Sequence, residues 1–330
     1  MSDDAGPWSV SADAFPDDGP RRAQFEFLLR YAILAPSSHN SQPWRFAVDD
    51  GGVDVFVDTE RWLRVADAER RELYLSVGCA LENLLVAAER FGFVHEVEYF
   101  PTDDEAHVAR VVLSPGGSPS AHRGGLFDAL TERSTNHGPY WGSISQGTLS
   151  DLAATVVDPD IWLRFVDDDG TKSTLGELVT RADRRQFENP DYRRELGEWL
   201  GNGALEPSWL KAKVGQLAVR HLDLGERQAA RDSVLVDSAP VVAVLGSDGD
   251  SLGARVRVGQ TFERLALRST LEGLRVHPMS QVLELPDLRA ELSDVLGVGG
   301  DGAVQHLFRL GRADPERGRS SRRPLSAVVD

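Results

Sequence analysis

Ala35–Trp44 reads APSSHNSQPW and joins an apolar-periodic stretch to the β-rich segment that starts at Trp44. Pro36 and Pro43 lack an amide proton and fix φ, so the residues between them are presented in few directions. Ser37, Ser38, Asn40 and Gln42 supply donors and acceptors without charge. By composition this is a solvated turn with a serine or asparagine cap. As a site, it suits the edge of a neutral heterocycle better than a phosphate or a metal.

Working outward, Phe25, Leu28, Leu29, Ala32 and Ile33 recur at helical spacing and predict a helix over 22–35. Downstream, 44–48 and 53–58 read as strands around the turn Asp49-Asp50-Gly51-Gly52. A core helix is expected over 68–91, then strands at 94–100 and 107–113. SPGGSPSAHR at 114–123 reads as a linker, followed by a short helix at 125–132 and a strand starting at Trp162. Residues 172–231 read as a helical insertion, and PVVAVL at 240–245 as a buried strand.

The chain also resembles itself. VGCALENLLVAAERFGF at 77–93 lies on VGQTFERLALRSTLEGL at 258–274 without a gap, at a constant offset of 181 that pairs Gly78 with Gly259, Glu82 with Glu263 and Gly92 with Gly273. Each copy follows a β-rich stretch and ends on a glycine suited to capping a helix. The expected architecture is α+β: a mobile acidic arm at 1–20, one half at 21–123 and a related half at 124–330, packed as an internal pseudo-dimer.

Composition narrows the partners. A net charge of −16 opposes nucleic acid and anionic membranes and leaves small molecules. No apolar run is long enough to span a bilayer and the acidic start is unlike a signal peptide, so a cytoplasmic protein is expected. Cys79, the single cysteine, excludes an intrachain disulfide and a thiolate metal cluster. Basic residues are nearly all arginine, which fits either a GC-rich genome or a high-salt cytoplasm.

Other motifs fail on context. Gly297, Gly299 and Gly302 satisfy G-x-G-x-x-G but follow a helix and precede a strand, the reverse of a dinucleotide fold. Asp167-Asp168-Asp169-Gly170 lacks the alternation of a calcium loop and reads as a surface turn.

APSSHNSQPW, placed between helix and strand, resembles the signature loop of the FMN-dependent nitroreductase family. A second half fused behind it is most similar to the Acg-like branch. In that family two chains share each flavin, one giving this loop and the other the phosphate and N5 contacts.

The resemblance therefore implies that Ser37, Ser38, Asn40 and Gln42 meet the ring. It implies that Arg133, Ser134, Thr135 and His137 grip ribityl and phosphate, and that the main chain of Met279, Ser280 and Gln281 faces N5. Arg322 and Arg323, in RSSRRPL with Arg319, would complete the phosphate site. NAD(P)H would be the reductant and a nitro compound, quinone or similar molecule the acceptor, with no side-chain nucleophile. The pseudo-dimer would let a monomer suffice. The alternative is a flavin-binding or flavin-storing protein with little turnover, its site lidded by residues of the insertion such as Trp199 and Trp209. A third option is a protein that keeps the fold without the flavin.

Overall fold

A computed structural model describes residues 6–201, 235–236, 238–314 and 318–330. Helix α1 (Arg21–Ala32) buries Phe25, Leu28, Leu29 and Ala32, the stripe expected from spacing, and ends before Pro36. Strands β1 (Trp44–Val48) and β2 (Gly52–Val57) form an antiparallel hairpin. Asp49 closes it by accepting from the backbone N–H groups of Gly51 at 2.8 Å and Gly52 at 2.9 Å.

Helix α2 (Arg71–Arg90) is buried from Arg71 to Glu89. Asp67 satisfies its first turn, accepting from the backbone of Glu72 at 3.1 Å and Leu73 at 2.8 Å. Gly92, at φ 81°, turns the chain out of the helix into β3 (Phe93–Tyr99), which pairs with β4 (His107–Pro115). The sheet order is β1-β2-β4-β3.

The second half repeats that plan. After α3 (Gln146–Ala153) come β5 (Ile161–Val166), α4 (Asp169–Glu188), α5 (Pro190–Gly201) and β6 (Val241–Asp248). Next are α6 (Leu252–Leu271), β7 (Arg275–Pro278), α7 (Pro286–Val295) and β8 (Gly302–Gly311). The order β5-β6-β8-β7 is again first, second, fourth, third, with a long helix linking the second strand to the third. Gly273, at φ 69°, ends α6 as Gly92 ends α2. The α+β architecture is thus as the sequence predicts, and one apolar core runs from Phe25 and Leu81 into Phe262 and Leu265.

α2 and α6 meet without side chains between them at one point. A Cβ on Gly78 would lie 2.1 Å from the carbonyl oxygen of Val256, and one on Gly259 would lie 2.0 Å from that of Leu75. Leu75 and Val256 share the offset of 181 that relates the two glycines, so the contact is reciprocal, as at a two-fold interface.

Three expectations need correction. The described part of the arm, 6–20, lies against the body: Phe15 stacks on Phe91 with ring centres 4.4 Å apart, and Trp8 Nε1 donates to the carbonyl of Ser320 at 2.8 Å. Aromatic anchors hold a stretch that its Pro, Gly and Asp content had marked as loose. Asp168 is a helix cap, accepting from Thr171 N at 2.8 Å, and the helical region starts at Asp169. The short helix near 125–132 is a 3-10 turn over Leu126–Ala129. Most of the insertion beyond α5, with Trp209, lies outside the described residues.

Candidate functional site

A cavity of about 310 Å³ opens between the halves, with α2 along one wall through Glu72, Leu75, Ser76 and Cys79. The APSSHNSQPW loop forms another wall with Pro36, Ser37, Ser38, His39 and Asn40. His39, Asn40 and Gln42, with right-handed Ser41 between the last two, hold φ of 49°, 51° and 51°, left-handed values that non-glycine residues adopt at a cost. Local bonds hold it there: Ser37 Oγ accepts from Gln42 N at 2.9 Å, and Ser37 O accepts from Asn40 N at 2.9 Å.

Arginines converge beside this loop. Arg322 donates from Nη1 to Asn40 Oδ1 at 3.1 Å and from Nη2 to the carbonyl of Leu34 at 2.9 Å. Arg133 reaches the same carbonyl at 3.3 Å, and Arg319 donates to the carbonyl of Arg133 at 2.8 Å. Trp8 lies under the pair from the tail, its ring centre 4.6 Å from the Arg322 guanidinium and 5.0 Å from that of Arg319. Arg133, Arg319 and Arg322 all line the cavity with Ser134, Thr135, His137 and Ser320.

Behind them is one buried acid. Glu263 Oε1 stands 3.4 Å from Arg133 Nε, and burial pushes its carboxyl up to about 7 against the pull of Arg133 and Arg322. Its offset partner Glu82 is equally buried, yet Arg123 and Arg264 outweigh burial and hold it below the usual carboxylate range.

Of the residues the family resemblance picks out, the cavity gathers Ser37, Ser38, Asn40, Arg133, Ser134, Thr135, His137, Met279, Ser280, Gln281 and Arg322. Gln42 and Arg323 are not in its lining. Gln42 is buried and accepts from Arg323 N at 2.7 Å, while Arg323 pairs with Asp58 at 3.1 Å. These two fasten the tail to the loop from behind. Met279 also needs a narrower reading, because its N–H already donates to the carbonyl of Leu307 at 2.8 Å.

At the opposite end of the cavity only Ser280 was expected. Glu72, Asp183, Glu284, Ser280 and His306 meet there, with Gln186, Phe187 and Tyr192 from α4 and α5 above them. Ser280 Oγ lies 2.9 Å from His306 Nδ1, which is 3.4 Å from Glu72 Oε1. Burial first, then the neighbouring charges of Glu72 and Asp67, raise the Glu284 carboxyl well above its ordinary value. No sequence motif marks Glu72, Asp183, Glu284 and His306 as a group, because each comes from a different element.

No family model matches the chain. "Putative NAD(P)H nitroreductase Rv3131" of Mycobacterium tuberculosis is 30% identical over 345 residues, spanning 99% of this chain and 96% of that protein. At that identity and coverage the chain belongs to the nitroreductase family. It is also similar to "Putative NAD(P)H nitroreductase acg" of the same organism, 26% identical over 317 residues, 91% of this chain and 93% of that protein. Among solved structures, the FMN and NADPH-dependent nitroreductase NfnB from a sphigopyxis strain has a TM-score of 0.44 at 16% identity, covering 62% of this chain and 97% of that one.

Proposed function

We propose that the chain is an FMN-dependent oxidoreductase that takes hydride from NAD(P)H and passes electrons to a small nitro, quinone or similar acceptor. The supporting observation is the joining of two unlike walls: the neutral loop at Asn40 is tied directly to Arg322, within an arginine cluster that a chain of −16 concentrates at one place. Guanidinium groups with adjacent hydroxyls suit a phosphate and a polyol, and the loop suits the polar edge of a flavin. These residues fit FMN.

In this reading Arg133, Arg319 and Arg322 hold the phosphate, with Ser134, Thr135 and Ser320 beside it. Ser37, Ser38 and Asn40 orient the ring, and the main chain of Ser280 and Gln281 faces its reactive edge. Bound FMN supplies the redox chemistry; the chain binds and orients it and keeps water from the enclosed face. Both walls come from one polypeptide, which supports a monomer and the reading of two related halves.

A second reading is a flavin-storing protein, supported by Phe187 and Tyr192, which bring α4 and α5 over the cavity. One experiment separates them. The purified protein should carry a flavin absorption spectrum, and anaerobic NADPH should bleach it in a stopped-flow instrument. A flavin that NADPH leaves oxidised would favour storage, and a colourless protein that takes up no FMN would discard both.

A further inference from the structure

The cavity has two chemically opposite ends. Along α2, Cys79 lies toward the Arg133–Glu263 pair, and Glu72 is about 10 Å further on at 1.5 Å per residue. The arginines that line the cavity are Arg133, Arg319 and Arg322; among the described residues the far end is lined by no Lys or Arg. It holds Glu72 from α2, Asp183 and Gln186 from α4, Glu284 from the turn after β7, and His306 from β8. Asp67, the α2 cap, adds a further carboxyl nearby, with Arg255 of α6 acting on it from behind.

Two features point to a ligand at this end. Among the described residues Glu72 Oε1 is buried without a hydrogen-bond partner, and so is Nε2 of His306, which is 1% exposed and lines the cavity. Glu284 is held in place by Gln186 Nε2, which donates to its Oε2. Glu284 has the like charges of Glu72, Asp67 and Asp183 acting on it, and carboxyls this crowded cannot all be ionised at modest cost.

We propose that Glu284, backed by Glu72 and His306, is the proton donor to the acceptor reduced in this cavity, an inference that rests on the oxidoreductase reading above. A quinone or nitro acceptor takes two electrons and a proton as hydride equivalent, supplied through the flavin from NAD(P)H. Its oxygen is left needing a second proton. The O–H bond of Glu284 breaks, the proton bonds to that oxygen, and the resulting carboxylate regains a proton from water. Acceptors that present an oxygen to the acidic end are the preferred class.

The test uses the full chain with FMN bound and the variants Glu284→Gln, Glu284→Asp and Glu72→Gln. Infrared difference spectra near neutral pH should show a protonated carboxyl band that Glu284→Gln removes. With flavin content and NADPH bleaching kept near wild type, reoxidation of the reduced protein by a quinone should slow about 100-fold in Glu284→Gln. The wild-type rate should fall as pH rises, that fall should flatten in Glu284→Gln, and Glu284→Asp should restore part of the rate. Glu72→Gln should shift the pH profile downward by removing a like charge. A wild-type protein without the carboxyl band, or Glu284→Gln reoxidising at the wild-type rate, overturns the donor role alone. Failure to take up flavin sinks the functional reading and the donor role together.

Discussion

Gly78 and Gly259 are packed face to face where α2 crosses α6: a Cβ on Gly78 would stand 3.1 Å from the Cα of Gly259 and 2.1 Å from the nearest carbonyl oxygen. Backbone cannot give way as a flexible side chain does. Gly78→Ala and Gly259→Ala should therefore each destabilise the fold by about 3 kcal/mol, at the upper end for overpacked sites. Because the contact is reciprocal, the two losses should be similar. Urea midpoints would check this, and an unchanged midpoint in either variant would mean that the helices lie further apart.

The Asn40–Arg322 bond makes a separate prediction. Asn40 accepts from Arg322 at 3.1 Å and donates to the carbonyl of Ser321 at 3.1 Å, so it fixes both the loop and the arginine segment. Asn40→Ala should weaken FMN binding roughly 5- to 10-fold, the loss of about one hydrogen bond. Fluorescence titration of the apoprotein with FMN is the measurement. Equal affinity in the variant would mean that the flavin lies elsewhere.

Arg133 and Glu263 tie the site to pH. Removing the guanidinium in Arg133→Met leaves a buried acid with only the weaker pull of Arg322, which costs more when that acid is ionised than when it is protonated. With the Glu263 carboxyl at about 7, the variant's melting temperature should lie further below wild type at pH 8.5 than at pH 6. A deficit independent of pH would assign Arg133 a packing role only.

Asp67 sets a second dependence. Burial first, then Glu72, raise its carboxyl to about 8, above the ordinary 3.8 of the unfolded chain. Between those values the folded protein binds more protons than the unfolded one, so stability falls as pH rises through the window. Asp67→Asn keeps an acceptor for the backbone of Leu73 and cannot ionise. Its melting temperature should change less than that of wild type between pH 5 and pH 8.5, and parallel curves would contradict the assignment.

The sequence carried the plan because the plan is local. Alternation around Asp49–Gly52, the stripe from Phe25 to Ala32 and the repeated Val-Gly helix each declare themselves within one stretch. The short APSSHNSQPW string and the arginine segments could be matched one by one, and most of them meet in the cavity. Side-chain direction was not legible in the same way. The positive φ at Gln42 belongs to a turn that leaves this residue behind the loop, toward Arg323, which no spacing rule reveals. Trp8 was hidden in a stretch without periodicity, although its ring and indole N–H anchor it to the tail. The acidic end was invisible because Glu72, Asp183, Glu284 and His306 come together only through tertiary packing.

The constant spacing between the helices α2 and α6 has an evolutionary consequence. In an assembly of two identical subunits any substitution is imposed at both equivalent places, whether or not both tolerate it. Here Cys79 answers to Gln260, and Ser76 to Arg257, so small cavity-lining groups in one half correspond to bulky hydrogen-bonding ones in the other. Within one chain the two helices vary independently: Ser76 and Cys79 of α2 line the cavity, while Arg257 and Gln260 of α6 reach Asp158 and Glu82.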